Sequence, residues 1–291
     1  MNKLFILSIL SALSSYAVQG AVVTVNAAPV TVTAGQIRAE ASSAVANYRN
    51  SGSSSGSSDS GSSGSSGSTS GSSSTGSSSS GSSGSGDLNV SQDDFIKAWT
   101  NGKQFLPDPN VPTPTADQYN AFIKNAGPDG GITSKTELAM FMAEIMWESG
   151  GLYYKAELAC KDNNCAGSYV DNVGLSGKYY YGRGYIQLTW GANYKEASQA
   201  LYNDDRLLQN PDTVATNEDA AWGVSYWYWK NKVKPTLAGT YKFGLATKAI
   251  NGALECSGAN TDKATKRYKI YTEILKVFEP SATPIESGCY N

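Results

Sequence analysis

Two glutamates, Glu148 and Glu157, stand nine positions apart on either side of a Gly150-Gly151 break. Downstream runs Tyr180-Tyr181-Gly182-Arg183-Gly184-Tyr185-Ile186-Gln187-Leu188-Thr189, rich in aromatic, amide and hydroxyl side chains. Cleaving a glycosidic bond calls for such a set: one carboxyl to protonate the leaving oxygen, a second to activate water, and side chains that hold sugar rings. The chain has no histidine. Ser-His-Asp and Cys-His catalysis are therefore excluded, as are histidine-ligated metal sites, and acid–base work falls to Glu or Asp with tuned pKa values. Glu148 closes an expected helix, where the macrodipole disfavours ionisation and neighbouring Trp147 can desolvate the carboxyl. Both effects raise its pKa, as a general acid requires. Glu157 lies beyond the glycines and is free to stand across a groove, which permits the ~6.5–9.5 Å separation of an inverting pair. Glu144, one turn before Glu148, is a rival acid and reads as a solvated or arginine-paired residue.

The elements that must position these residues are mostly helical. Ser134-Lys135-Thr136-Glu137 reads as a capping box. Leu138, Phe141, Met142 and Ile145 follow at helical spacing, so a buried helix is expected to run to about Glu148 and to end at Gly150-Gly151. Further helices are expected at residues 93–99, 116–124, 193–202, 219–229, 242–250 and 262–277. Only residues 185–189 suggest a short strand. The fold class is mainly α, with two helical lobes flanking a cleft. Arg183 reads as a buried ion-pair or backbone-bonding residue, and Trp222, Trp227 and Trp229 read as core.

Upstream, residues 1–20 hold Lys3, an apolar run from Leu4 to Leu13 and a cleavable Val18-Gln19-Gly20. This is a signal peptide rather than a span, because the run is well short of the ~20 apolar residues a spanning helix needs. Residues 21–50 are too few for a domain and have no assignable role. Residues 51–86 are Ser and Gly apart from Asp59, Thr69 and Thr75, a tether with no apolar surface to bury. Residues 87–291 are left as the folded body. A formal net charge of −2 provides no polybasic footprint for nucleic acid or an anionic membrane. The four cysteines, Cys160, Cys165, Cys256 and Cys289, imply two disulfides in a secreted chain. Three pairings are possible, and proximity favours Cys160–Cys165 with Cys256–Cys289. Four-cysteine zinc binding fits neither the spacing nor secretion. Asn89-Val90-Ser91 is an N-glycosylation sequon.

Trp147-Glu148-Ser149-Gly150-Gly151-Leu152, Glu157, the 180–189 segment and Ile250-Asn251-Gly252-Ala253-Leu254-Glu255-Cys256 together resemble the glycoside hydrolase family 19 chitinases. The likeness covers about residues 93–289, with the motifs in the family's order, and is greatest to the compact, short-looped bacterial-type members. It implies a bilobal, lysozyme-like helical fold and endo-hydrolysis of β-1,4-linked N-acetylglucosamine with inversion. Position by position, it implies that Glu148 is the general acid, Glu157 the general base, and Thr189 a hydroxyl that helps hold the attacking water where the family usually has Ser. It places Tyr181, Gln187, Asn193, Asn251 and, across a length change, Lys234 along the sugar. Glu255 and Arg267 match a charged pair that supports the acid. Cys256–Cys289 matches the family's C-terminal disulfide and Cys160–Cys165 its short one. Two positions depart from the pattern: Trp147 replaces the usual His before the acid, and Tyr185 replaces the usual Pro after Gly-Arg-Gly. The first is expected to change the surroundings of Glu148 and the second to reshape a subsite.

The expectation is a secreted, monomeric endochitinase, extracellular or wall-associated, that needs no metal or organic cofactor. Two alternatives stand beside it. One is a muramidase-like lysin acting on peptidoglycan. The other is a non-catalytic chitin-binding wall protein, motivated by the replacements at Trp147 and Tyr185.

Overall fold

A helix that is apolar all the way round has to sit inside the protein, and the segment after Ser134 does so, with Glu137 through Trp147 all buried. The structure, a computed structural model, describes residues 88–291. The signal peptide, the 21–50 segment, the Ser/Gly tether and Asp87 lie outside the described residues. In chain order the helices are α1 (Gln92–Lys103), α2 (Ala116–Ala126), α3 (Lys135–Glu148), α4 (Gly191–Tyr202), the short α5 (Arg206–Gln209) and α6 (Thr213–Thr216), and α7 (Glu218–Tyr228). A wide turn, Trp229–Val233, carries α7 into α8 (Lys234–Leu237). Then come α9 (Phe243–Glu255) and α10 (Thr261–Phe278).

Packing divides them into two groups. Helix α10 lies along α1, α3 and α9, while α7 packs against α2, α4 and α6. A continuous set of rings joins the groups: Phe122 meets Phe141, Trp222 and Phe278, and Phe141 stacks on Tyr226 with centroids 4.6 Å apart. Trp222, Trp227 and Trp229 are buried in this core, as their helical spacing indicates. No helix among the described residues is long and apolar enough to cross a membrane.

Local chemistry sets the ends of α3. The Ser134 hydroxyl accepts from the Glu137 N–H at 3.1 Å, but the reciprocal half of the expected capping box does not form. The Glu137 carboxylate instead takes the Lys234 ammonium at 2.9 Å on both oxygens and the Trp229 indole N–H at 3.0 Å. A buried carboxylate gains more from a cation than from one backbone N–H. A complete capping box does form at α2, between Thr115 and Gln118. At the other end Gly150 and Gly151 take φ of +57° and +84°. A Cβ on Gly151 would lie 2.8 Å from Val111 Cγ2, so both conformation and space demand glycine there.

The expected strand at 185–189 is a correction. Among the described residues there are isolated bridges and no sheet. Arg183 and Leu188 exchange both backbone hydrogen bonds, at 3.1 and 2.8 Å, while Gly184 and Gln187 take positive φ. Two left-handed residues inside four positions curl the chain into a tight loop, which an extended strand cannot accommodate.

Both cysteine pairs favoured by proximity are disulfides, Cys160–Cys165 and Cys256–Cys289. The second spans 33 residues and joins the C-terminal tail to Cys256, just past the end of α9, while the Phe243 and Gly244 N–H groups at the start of that helix donate to the Ile285 and Glu286 carbonyls of the tail. Closing a loop of that length restricts the unfolded chain by about 3–4 kcal/mol. Replacing both Cys256 and Cys289 by Ala is expected to lower Tm by about 10 °C in a body of this size. A thermal melt within 2 °C of the parent would contradict that role.

Candidate active site

The loops after α3 build one wall of a cavity, and the ends of α3, α9 and α10 build the other. Lining it are Trp147 and Glu148 from α3, Glu157, the 186–189 loop, Asn251 and Glu255 from α9, and Arg267 from α10. Sequence-distant residues thus meet in one place, and both candidate carboxyls face the same space.

Glu157 is clamped by backbone. Residues 155–157 run antiparallel to 182–184: the Glu157 N–H donates to the Gly182 carbonyl at 2.8 Å and the Gly184 N–H to the Lys155 carbonyl at 3.0 Å. The Glu157 carboxylate accepts from the Gly182 N–H at 3.2 Å and from the Tyr169 hydroxyl at 3.1 and 3.0 Å on its two oxygens. Its pKa is raised, because burial outweighs the lowering by the Gly182 N–H, the Tyr169 hydroxyl and Arg183. Tyr169 itself is buried and rests edge-on against the exposed Trp190 at 5.6 Å. The sequence offers no sign of Tyr169, since it comes from an irregular loop with no period to follow.

Glu148 sits in a different environment. Its side chain is 15% exposed and is held by the Arg267 guanidinium. Arg267, 1% exposed, reaches three carboxyls at once. It bonds Glu255 through Nε at 2.8 Å and Nη2 at 3.0 Å, Glu144 through Nη1 at 2.7 Å, and Glu148 through Nη2. Glu144 is fully buried and also accepts from the Thr247 hydroxyl at 2.7 Å. Glu144 is therefore the arginine-paired residue of the two readings open for it. Burial raises the Glu148 pKa, Arg267 pulls it down, and the Glu255 charge pushes it up again, leaving it above its ordinary value. Glu255 goes the other way: burial raises it, but the two Arg267 bonds and the Asn251 amide more than offset this and hold it low.

The remaining site candidates divide. Gln187 and Thr189 line the cavity, as does Asn251, which takes non-helical φ −142° and ψ 31° and kinks α9. Its amide bonds Glu255 at 2.7 Å and so braces the cluster as well as facing the cavity. Tyr181, Asn193 and Lys234 do not line it. Tyr181 lies with its ring 3.6 Å from the Arg183 guanidinium, and its carbonyl accepts from the Tyr194 hydroxyl at 2.8 Å. Asn193 donates to the Thr189 carbonyl at 2.9 Å, holding that loop from behind. Lys234 is occupied by the Gly131 carbonyl and by Glu137, a buried carboxylate that no other cation among the described residues answers. Arg183 is buried against the Tyr179 carbonyl, the Tyr194 hydroxyl and Asp212, in line with its reading as a structural residue.

The two departures also separate. Trp147 lines the cavity, and the Arg267 guanidinium lies 5.5 Å from its ring centre, so it does alter the surroundings of Glu148. Tyr185 does not line the cavity. It is fully buried on the far side of the loop, with its hydroxyl between Glu218 and the Gln118 amide. As for metals, the sulfurs of Cys160 and Cys165 lie beside Glu157, but a disulfide presents no thiolate to an ion.

Comparison with known proteins gives a consistent picture. Residues 115–240 match the family described as chitinase class I, glycoside hydrolase family 19. The chain is 39% identical over 164 residues to endochitinase EP3 of Arabidopsis thaliana, covering 55% of this chain and 56% of that one. It is 35% identical over 167 residues to chitinase 6 of Oryza sativa subsp. japonica, covering 55% and 61%. The chain thus spans little more than half the length of the curated relatives it matches. Among solved structures, chitinase C from Streptomyces griseus superposes with a TM-score of 0.55 at 28% identity, covering 72% of this chain and all of that one. A class IV chitinase from Zea mays shares the fold with a TM-score of 0.51.

Proposed function

We propose that this chain is a secreted endochitinase of glycoside hydrolase family 19 that hydrolyses β-1,4 bonds between N-acetylglucosamine units with inversion; the match of residues 115–240 to that family supports this. The observation that supports this most directly is the pair of unlike carboxyls lining one cavity. Glu148 has its pKa raised and can hold a proton. Burial raises the Glu157 pKa too, but two donors, the Gly182 N–H and the Tyr169 hydroxyl, favour its carboxylate and orient it to receive one. Two carboxyls of different environment are what acid and base roles need.

In this reading Glu148 donates its proton to the glycosidic oxygen as the bond to the anomeric carbon breaks. Glu157 takes a proton from a water that Thr189 helps to hold, and the resulting hydroxide adds to the opposite face of that carbon. Glu148 ends as a carboxylate and Glu157 as an acid, and exchange with solvent resets both. Gln187 and Asn251, which line the cavity, contact the sugar's hydroxyl and N-acetyl groups. The Lys3–Leu13 pattern and the Ser/Gly stretch support export and tethering of the catalytic body.

The test is NMR of freshly cleaved N-acetylglucosamine hexamer. The product should appear first as the α-anomer. A β-anomer first would remove the inverting mechanism. No cleavage of hexamer together with clearing of bacterial walls would move the substrate to peptidoglycan. Chitin binding with no turnover on either polymer would leave a binding protein.

A further inference from the structure

We propose that Asp108 is a specificity-determining residue of the cleft: its carboxylate takes the ammonium of a deacetylated sugar unit, so that the chain cuts partially deacetylated chitin in a preferred register. The inference rests on the reading of the chain as a chitinase and names a substrate class within it.

Asp108 comes from the loop between α1 and α2 and lines the same cavity as Glu148 and Glu157. Buried neighbours on both sides fix that loop. Leu106 and Val111 are buried, and both pack on Gly151, where an added Cβ would meet them at 2.9 and 2.8 Å. The Gly151 carbonyl in turn accepts from the Trp99 indole N–H at 2.9 Å. The loop is thereby set just past the end of α3, on the side of the cavity that carries Glu148. Within it the Asn110 N–H donates to Asp108 Oδ1 at 2.9 Å, a local turn that orients the carboxyl. Its other oxygen accepts from no donor among the described residues, and no cation among them pairs with it.

Charge in the cavity says what would answer it. Four lining residues carry carboxyls, Asp108, Glu148, Glu157 and Glu255, and one, Arg267, is cationic. Arg267 is already spread over Glu144, Glu148 and Glu255, which leaves none of it for Asp108. Beside Asp108 on the cavity wall is a phenol, Tyr154, whose hydroxyl pKa is raised by burial first and by the Asp108 charge second. A fixed carboxylate with no cation of its own is matched by a ligand that brings one. Along a β-1,4 N-acetylglucosamine polymer the hydroxyls and amides are neutral. The one group that becomes cationic is the 2-amino group left where a unit has lost its acetyl. A hydroxyl offers Asp108 a bond from a neutral donor, whereas an ammonium adds charge to the bond and is favoured at that subsite.

The test gives the full chain partially deacetylated chito-oligosaccharides and the same material after chemical re-N-acetylation, with products sequenced by mass spectrometry. In the parent, glucosamine should be enriched at one fixed position relative to the cut bond. Asp108→Asn keeps an oxygen for the Asn110 N–H, so the loop should hold while the enrichment vanishes. The ratio of kcat/KM on the deacetylated to the re-acetylated material should fall with it by about fivefold, the upper end for one part-exposed ion pair. Asp108→Lys should turn enrichment into depletion. Asp93→Asn removes the same charge from the exposed first turn of α1, outside the cavity, and should leave both readouts at parent values. Even placement of glucosamine in the parent's products overturns the proposal, as does enrichment that persists in Asp108→Asn. An equal fall on both materials also overturns it and would make Asp108 an acceptor for a sugar hydroxyl. Absence of cleavage of either material would refute the chitinase reading instead. Retardation in gels containing glycol chitosan or glycol chitin, compared for the parent, Asp108→Asn and Asp93→Asn, would then still decide whether Asp108 holds the ammonium.

Discussion

Glu148→Gln should lower kcat on N-acetylglucosamine hexamer by about 10³–10⁴-fold, the upper part of what a positioned acid supplies. The leaving group is a sugar hydroxyl whose alkoxide is too basic to depart unprotonated, and Gln has no proton to give. Its amide oxygen still accepts from Arg267, so the fold should survive and KM should change little. Glu157→Gln should cost a similar factor for a different reason: the water keeps its proton in the transition state. The two losses can be told apart with an aryl chito-oligosaccharide whose leaving phenol is acidic. Such a phenolate departs without protonation, so the Glu148 variant should regain much of its rate while the Glu157 variant should not. Retained hexamer activity in Glu148→Gln, or equal recovery of both variants on the aryl substrate, would remove the assignment of acid and base.

Residue types alone singled out the two carboxyls of the candidate site, while Gln187, Thr189, Asn251, Glu255 and Arg267 came through the family resemblance. Glu148 and Glu157 stand out because the Gly-Gly break separates them, and helical spacing from Leu138 to Ile145 was enough to bury α3. What escaped was whatever depends on contacts between distant segments. A capping motif at Ser134 and Glu137 looks local, yet the buried Glu137 carboxylate is claimed by Lys234 and Trp229 from the far end of α7 and beyond. The same pairing takes Lys234 away from the cavity where the family resemblance had placed it. Apolar and polar residues alternate across 185–189 as in a strand, but the positive φ of Gln187 cannot be read from a side chain that gives no warning of it. Tyr185 was expected to reshape a subsite because of where it stands in the motif. The tight loop turns it into the core instead, toward Glu218. Tyr169 and Glu144 show the converse. Each matters through one partner, Glu157 or Arg267, that lies 12 or 123 positions away in the chain.

Arg267→Met should be the most destabilising single change in the domain, because it leaves three carboxyls around a missing cation. Breaking a buried ion pair from one side costs about 3–5 kcal/mol, and this arginine serves three partners. In a body of this size that corresponds to a fall in Tm of roughly 10 °C or more. The loss should depend on pH, and its sign follows from the carboxyls. In the folded parent the Glu144 pKa lies above its unfolded value, at about 7, so folding binds a proton there. That group therefore lowers stability as pH rises from the unfolded carboxylate range toward 7. Glu255 is held low and does the opposite: its contribution is present above the unfolded value and is lost as pH falls through the folded one. Without Arg267 nothing holds Glu255 low, and burial drives all three carboxyls up. All three must then either take up protons or carry unpaired buried charge at neutral pH. The gap between parent and variant should accordingly be greatest at pH 8 and should narrow toward pH 5, where the orphaned carboxyls are protonated and only hydrogen bonds and packing are missing. Adding Glu144→Gln to Arg267→Met should recover part of the loss at pH 8 and little at pH 5. Thermal melts of the three proteins at the two pH values decide it. A deficit that is the same at both, or a double variant no more stable than Arg267→Met at pH 8, would mean that the cluster is held by packing rather than by charge.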